Sequence, residues 1–247
     1  MKSLPKTVLL VPDVHVPFHD KRAWNLILKV QRILKPALTV QLGDFGDLYN
    51  ASRHSRRPGG PLITLKEERT ACRHEWRRLE DTSNELWFLG GNHDIRVSSN
   101  LLNKAPEMAD CFGDIREFYN FDTAVTSFPY QQLVHIGKVA LVHDVGKSGA
   151  NATRDGLNSA QHCLINGHTH RLEMLYGGNI MGERHFSMSC GYVGDINSPA
   201  FDYANATVKR HWQLGMGWLR FIDGLCYATP IPMVNYTCVI EGRRYAG

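Results

Sequence analysis

An α/β fold built on two packed sheets is the class this sequence predicts, and three observations carry the prediction. Apolar, β-branched runs alternate with amphipathic helical stretches through the first half of the chain. The second half is a succession of short strand-like runs. The strands are also too numerous for one open sheet, which curls or splits as strands are added.

Residues 7–11 form a continuous apolar run ended by Pro12, the pattern of a buried strand. Residues 23–34 predict a helix, with Trp24, Ile27, Leu28 and Leu34 on one side and Pro36 closing it. Residues 38–42 give the second strand, and a polar loop with glycine and proline covers 50–61. The helix after it places Leu62, Leu65, Cys72, Trp76 and Leu79 at three- and four-residue steps, interrupted by Arg69. Residues 86–89 are the third strand, ending at Gly90-Gly91. Further on, 133–136 and 139–142 flank Gly137-Lys138 as a hairpin. Short strands follow at 163–165, 172–176 and 185–188, and the last are expected at 218–222 and 233–240. There is no repeat, low-complexity tract or linker, so 1–247 is expected to be one domain.

Composition narrows the function classes. The chain has 247 residues, 43% hydrophobic and 21% charged, ordinary for a globular protein. No apolar run approaches the roughly 18–20 residues of a membrane span, and the first residues lack a signal-peptide pattern. A cytoplasmic location is therefore expected, the host cytoplasm if the chain is phage-encoded, with no membrane partner. The six cysteines, Cys72, Cys111, Cys163, Cys190, Cys226 and Cys238, are scattered without a CxxC pair. They read as reduced, mostly buried thiols. A formal net charge of +4 suits an anionic substrate without requiring nucleic acid.

Five short clusters carry the chemistry: Asp13-Val14-His15, Gly43-Asp44, Gly91-Asn92-His93-Asp94, His143 and Gly167-His168-Thr169-His170. Several directly follow an apolar run, as ligands hung from strand ends would. Asp13 and His15, two apart on extended backbone, would turn to the same side. Carboxylate plus imidazole suits a borderline divalent metal better than calcium or magnesium. Asp44 can bridge two cations, and Asn92 can offer an amide oxygen. His93 offers a titratable imidazole, with Asp94 beside it as a carboxylate to orient it. His168 and His170 on one turn would rarely be selected for packing. His19, His54, His74, His135, His162, His185 and His211 take the ordinary reading, as surface or satisfied residues.

In sequence order these clusters resemble the motifs of the calcineurin-like metallophosphoesterase superfamily: D-x-H, G-D-x-x-D, G-N-H-D/E, a lone His and G-H-x-H. Asp13/His15, Gly43 through Asp47, Gly91 through Asp94, His143 and Gly167 through His170 match in turn, over about residues 7–190. More narrowly, Gly43 through Tyr49, Ser52-Arg53, Arg171 and Ser189-Cys190-Gly191 look like phage- and bacteria-encoded phosphoesterases, often grouped with DNA-repair exonucleases.

The resemblance implies a four-layer α/β/β/α sandwich of two mixed sheets flanked by helices. It also implies one metal held by Asp13, His15, Asp44 and His170 and a second by Asp44, Asn92, His143 and His168, with Asp44 bridging. The cofactor would be two divalent transition-metal ions, manganese first, with iron, zinc or nickel as alternatives. The implied reaction is hydrolysis of a phosphate ester by in-line attack of a metal-bridging hydroxide. His93 would stabilise the transition state or protonate the leaving group, with Asp94 fixing its tautomer.

Nucleotide, cyclic-nucleotide or nucleic-acid phosphodiesters are the expected substrates, ahead of phosphomonoesters. A Ser/Thr-type protein phosphatase is the alternative, and a non-catalytic interaction module on the same fold, like the superfamily's retromer subunit, comes third. Two departures matter: Leu48 follows Asp47 where protein phosphatases have a phosphate-gripping arginine, and Asp144 follows His143 where glycine is commoner. Arg53, His54, Arg56 and Arg57 form a basic loop able to grip phosphate in that arginine's place, alongside Asn92. Arg69, Arg73 and Arg77, with His74 and Arg78, read as a solvated helix face, because Glu67, Glu68, Glu75 and Glu80 are interleaved. The 192–218 stretch, with Tyr203, His211, Trp212 and Trp218, reads as a core edge or oligomer contact in preference to a lid or stacking platform. A homo-oligomer stays open.

Overall fold

The computed structural model describes residues 4–53, 60–108 and 114–247. The first half runs β1 (Thr7–Val11), α1 (Lys21–Leu34), β2 (Leu38–Gln41), α2 (Leu65–Glu80) and β3 (Leu86–Leu89). It continues through α3 (Arg96–Lys104), α4 (Ile115–Tyr119) and β4 (Thr126–Phe128). The second half holds β5 (Val134–Ile136), β6 (Val139–Val142), α5 (Ala152–Ala160), β7 (Cys163–Asn166), β8 (Leu172–Gly178) and β9 (Arg184–Cys190). Then come α6 (Ala206–Lys209), β10 (Gly215–Ile222), β11 (Leu225–Pro232), β12 (Thr237–Ile240) and β13 (Arg243–Ala246). No described helix is long and apolar enough to cross a membrane.

Two mixed sheets organise the chain. One has the order β11-β10-β1-β2-β3-β4 and the other β5-β6-β7-β9-β8, while β12 and β13 pair separately. In the first, β1 through β4 run parallel, β10 is antiparallel to β1, and β11 is antiparallel to β10. In the second, β6, β7 and β9 run parallel, with antiparallel β5 and β8 at the edges.

The strand alternation explains the layering. Val8, Leu10, Val40 and Leu42 turn toward Leu141, Ile165 and Met188 of the other sheet, forming the core between sheets. Leu9, Val11 and Phe88 face the opposite way, onto Trp24, Ile27, Cys72 and Trp76 of α1 and α2. Ala140, Val142 and Leu164 form a smaller cluster on the second sheet's other face, where α5 packs against β7, β8 and β9. Helix, sheet, sheet, helix is the expected four-layer order.

Turn and cap chemistry explains where boundaries differ from expectation. The α2 helix starts at Leu65 because Thr64 and Glu67 form a capping box, leaving Leu62 outside it and fully exposed. The strand expected over 233–240 is broken at Asn235-Tyr236. Both residues take positive φ (49° and 56°), and Val234 and Thr237 exchange hydrogen bonds across them, as in a type I′ hairpin. The Asp223-Gly224 and Glu241-Gly242 turns have the same signs of φ and create β11 and β13, which the apolar pattern missed. Pro230 and Pro232 hid β11, and it tolerates them as the edge of its sheet.

The Arg-rich face of α2 is solvated at His74 and Arg77, as expected, but acts as a brace at Arg69 and Arg73. Arg69 and Arg73 donate to the carbonyl of Phe118 and Arg73 also to that of Glu117, tying down the end of α4. Arg77 and Arg78 pair with Glu80, Asp81 and Glu75.

Trp76 is the centre of this helix-side core, with Phe45 at 5.0 Å, Phe88 at 5.5 Å and Phe121 at 4.2 Å between ring centroids. Trp76→Ala is expected to cost about 3–5 kcal/mol of stability in denaturant unfolding. A loss under about 1 kcal/mol would contradict that central position.

Candidate metal centre

The chain leaves the carboxyl ends of parallel strands in both sheets at one place. Asp13 and His15 follow β1, Asp44 follows β2 and Asn92 follows β3, while His143 follows β6 and His168 and His170 follow β7. All seven residues expected as ligands meet there. Asp13 and His15 are fully buried, and Asp44, His143 and His170 nearly so.

The local backbone is unusual. His15, Asp44, His168 and His170 all take left-handed φ, between 51° and 63°. For residues with a Cβ each costs on the order of 1 kcal/mol or more, and such backbone gathers at functional sites. The motif glycines are fixed by close approach. A Cβ on Gly43 would overlap the His143 ring, one on Gly91 would overlap Asp44, and one on Gly167 would strike the Asp13 carboxylate.

Two donor clusters result. In the first, His15 Nε2 lies 2.9 Å from His170 Nε2, and Asp13 Oδ2 lies 3.3 Å from that same atom. In the second, His143 Nε2 lies 3.1 Å from Asn92 Oδ1 and 3.4 Å from Asp44 Oδ2, with His168 beside them. Asp44 also groups with His15 and His93, so it stands where the clusters meet.

The donor set fits a cation. His143 Nδ1 faces the Leu42 carbonyl oxygen at 2.8 Å and must donate to it, so neutral His143 turns a lone pair at Asn92 and Asp44. His15 repeats the pattern, donating Nδ1–H to Asp47 Oδ2 at 3.1 Å while Nε2 faces inward. An imidazole whose far nitrogen is held by a carbonyl or carboxylate is the usual outer support of a metal ligand.

Packed this closely, the buried groups shift one another's titration. Burial is the largest influence on His143 and opposes its charge, yet the Asp44 and Asp13 carboxylates and the Leu42 carbonyl together overcome it and push its pKa up to about 10. Burial dominates at His15, pushing it down to about 4. Burial also works against the Asp44 charge, but His143 and His93 hold that carboxyl well below the usual range.

His93 is placed by partners other than the expected one. Its Nδ1 donates to the Asp47 carbonyl at 3.0 Å, and Arg96 Nη2 donates to its Nε2 at 2.8 Å. Burial disfavours its charged form, but Asp44 and Asp47 overcome this and raise its pKa. Asp94 does not orient His93. Its carboxylate accepts from the backbone N–H groups of Asp44 (2.8 Å) and Gly91 (2.9 Å) and from the Tyr119 hydroxyl (2.5 Å). It pins the second and third motif loops together, and burial followed by repulsion from Asp44 pushes its pKa up to about 6.

Sequence reasoning missed the roles of Asp47 and Arg96. Asp47 was visible as the last residue of the second motif, and Arg96 as a cation three residues past His93. Arg96 donates to both the carbonyl and the carboxylate of Asp47. Leu48 is buried in the helix-side core. Asp144 accepts from Tyr130 Oη at 2.5 Å and from Gly146 N at 2.7 Å.

A cavity of about 640 Å³ opens over the clusters, with Asn92, His93, His168 and His170 among its lining residues. Arg53 and Arg96 also line it, whereas His54, Arg56 and Arg57 lie outside the described residues. Tyr203 and Trp212 line the same cavity, so this part of 192–218 is a wall of the site rather than a core edge. Trp218 does belong to the core.

No protein-family profile and no curated protein matches the chain. Among solved structures it is similar to a single mutant of Vps29 from Entamoeba histolytica, at 14% identity and a TM-score of 0.46, covering 96% of this chain and 95% of that one. It is similar to YfcE, a phosphoesterase from E. coli, at 13% identity and a TM-score of 0.45, covering 91% and 98%. It is also similar to the Pseudomonas putida nuclease MPE, at 16% identity and a TM-score of 0.36, covering 90% and 87%. A phosphoesterase and a nuclease thus stand among its distant structural likenesses, next to Vps29.

Proposed function

We propose that this protein is a metal-dependent phosphoesterase of the calcineurin-like kind, acting by preference on phosphodiesters. The observation that carries the reading is the pair of buried carboxylate–imidazole clusters sharing Asp44, with His143 and His15 each anchored from behind and turned inward. Asp13, His15, Asp44 and His170 would hold one cation, and Asp44, Asn92, His143 and His168 the other. Bound there, divalent cations supply polarisation of the phosphoryl oxygens and a lowered pKa for the attacking water.

The chain's own groups do the rest. His93 Nε2, which accepts from Arg96 here, becomes the proton donor to the leaving oxygen once it is protonated and Arg96 turns to the phosphate, its Nδ1–H staying on the Asp47 carbonyl. Arg96, hydrogen-bonded to His93 and lining the cavity, supplies the fixed positive charge that Leu48 cannot. Asn92 can share its amide between cation and phosphate. Asp47 positions three groups at once: His15, His93 and Arg96.

With manganese, nickel, iron or zinc supplied, bis-p-nitrophenyl phosphate is expected to be hydrolysed faster than p-nitrophenyl phosphate. Metal analysis should find about two ions per chain. Absence of hydrolysis with every one of these metals would sink the enzymatic reading, and faster monoester turnover would remove the diester preference. His93→Asn is expected to lower kcat about 10²–10⁴-fold with metal content intact. Loss of metal along with activity would recast His93 as a ligand. Asp47→Ala is expected to weaken metal affinity about 10–100-fold in a chelator competition. Unchanged affinity would remove Asp47 from the support of His15.

A further inference from the structure

We infer that Tyr203 and Trp212 form a base subsite, so that the ester handled at this centre carries a nucleobase beside its phosphate. The inference rests on the phosphoesterase reading for where the phosphate sits. The base side stands on separate observations.

Trp212 meets the His170 ring edge-on, with centroids 4.4 Å apart at 76°. Phe201 lies 5.8 Å and Tyr192 5.5 Å from it, fixing the indole against a ring of the metal centre. Tyr203 lies 6.2 Å from Trp212 at 52°, yet it is 54% exposed and lines the cavity. A ring serving only the core would be covered. Here an aromatic surface is presented to the same space as the donors.

The segment that carries this wall is built to hold position. Asp195 N donates to the Phe18 carbonyl, Val193 N donates to the Asp13 carbonyl, and Gln213 N donates to the His170 carbonyl. Both ends of the segment are thus tied to the loops bearing ligands. The wall stands at a fixed distance from the centre, which a specificity element requires.

Chemistry selects the ligand. Arg53 and Arg96 line the cavity along with the two rings, so an anion and a flat apolar group are provided for side by side. A cavity of about 640 Å³ falls in the range of small-molecule sites and exceeds what a lone phosphate needs. Every nucleobase has a π-face that stacks on such rings, whereas sugar phosphates and glycerol phosphates have none.

The test is calorimetric titration of the manganese-supplemented protein with thymidine 5′-phosphate, 2-deoxyribose 5-phosphate and phenyl phosphate. The phosphate is common to all three, so affinity ratios report the base. Thymidine 5′-phosphate is expected to bind about tenfold more tightly than the sugar phosphate. Tyr203→Ala should shrink that ratio severalfold, and Tyr203→Phe should preserve it. Equal affinities in the wild type would overturn the base subsite, as would a ratio untouched by Tyr203→Ala or phenyl phosphate binding as tightly as the nucleotide. The two readings fail separately. Base preference without ester hydrolysis removes only the catalytic one, and hydrolysis with equal affinities removes only the base subsite.

Discussion

The position of one peptide, that of Asp44, is the constraint on which the centre depends. Its carbonyl accepts from the N–H groups of Val14 and His15, its own N–H donates to Asp94, and its Oδ1 accepts from His93 N. Three loops from three strands are therefore registered on a single residue in a left-handed conformation. Glycines at 43 and 91 clear the space around it, because no side chain fits between Asp44, His143 and the neighbouring loop. The strain of that backbone is offset by the hydrogen bonds that hold the Asp44 peptide on both sides.

Charge explains why so much support is needed. Carboxylates and imidazoles packed in a buried site repel or attract strongly because little water screens them. The consequence is visible in how far the groups move from ordinary behaviour, His143 upward and His15 downward despite sharing one site. Buried imidazole nitrogens and carboxylate oxygens this close together are a poor arrangement for packing alone. They suit a site whose balancing charge comes from bound cations.

Support radiates outward from there into ordinary structure. Asp94 is locked by Tyr119, whose ring packs on Phe45 and Phe88. The end of α4 that carries Tyr119 is held by Arg69 and Arg73 of α2. Buried Glu68, on the same helix, accepts from the N–H groups of Tyr49 and Asn50 and so fixes the turn leading to Arg53. The arginine-rich helix thus supports the site from behind through hydrogen bonds, and its arginines are not among the residues lining the cavity.

The sequence by itself determined the donor types, their order and the strands they follow, because these are written in short local motifs and continuous apolar runs. Strand-like runs predicted the two-sheet layering, and the family resemblance of the motifs implied the seven donors that meet at the strand ends. Only the tertiary structure decided the partners of those donors. Asp94 is next to His93 in the chain yet faces Asp44, while Asp47, 46 residues away, holds His93. Left-handed backbone at four of the donors redirects side chains in ways no spacing rule anticipates. Likewise Tyr203 and Trp212 were visible as aromatic residues, but their place over the centre depends on bridges between segments far apart in sequence. Local chemistry fixes which atoms are available, and long-range hydrogen bonding and packing fix where they point.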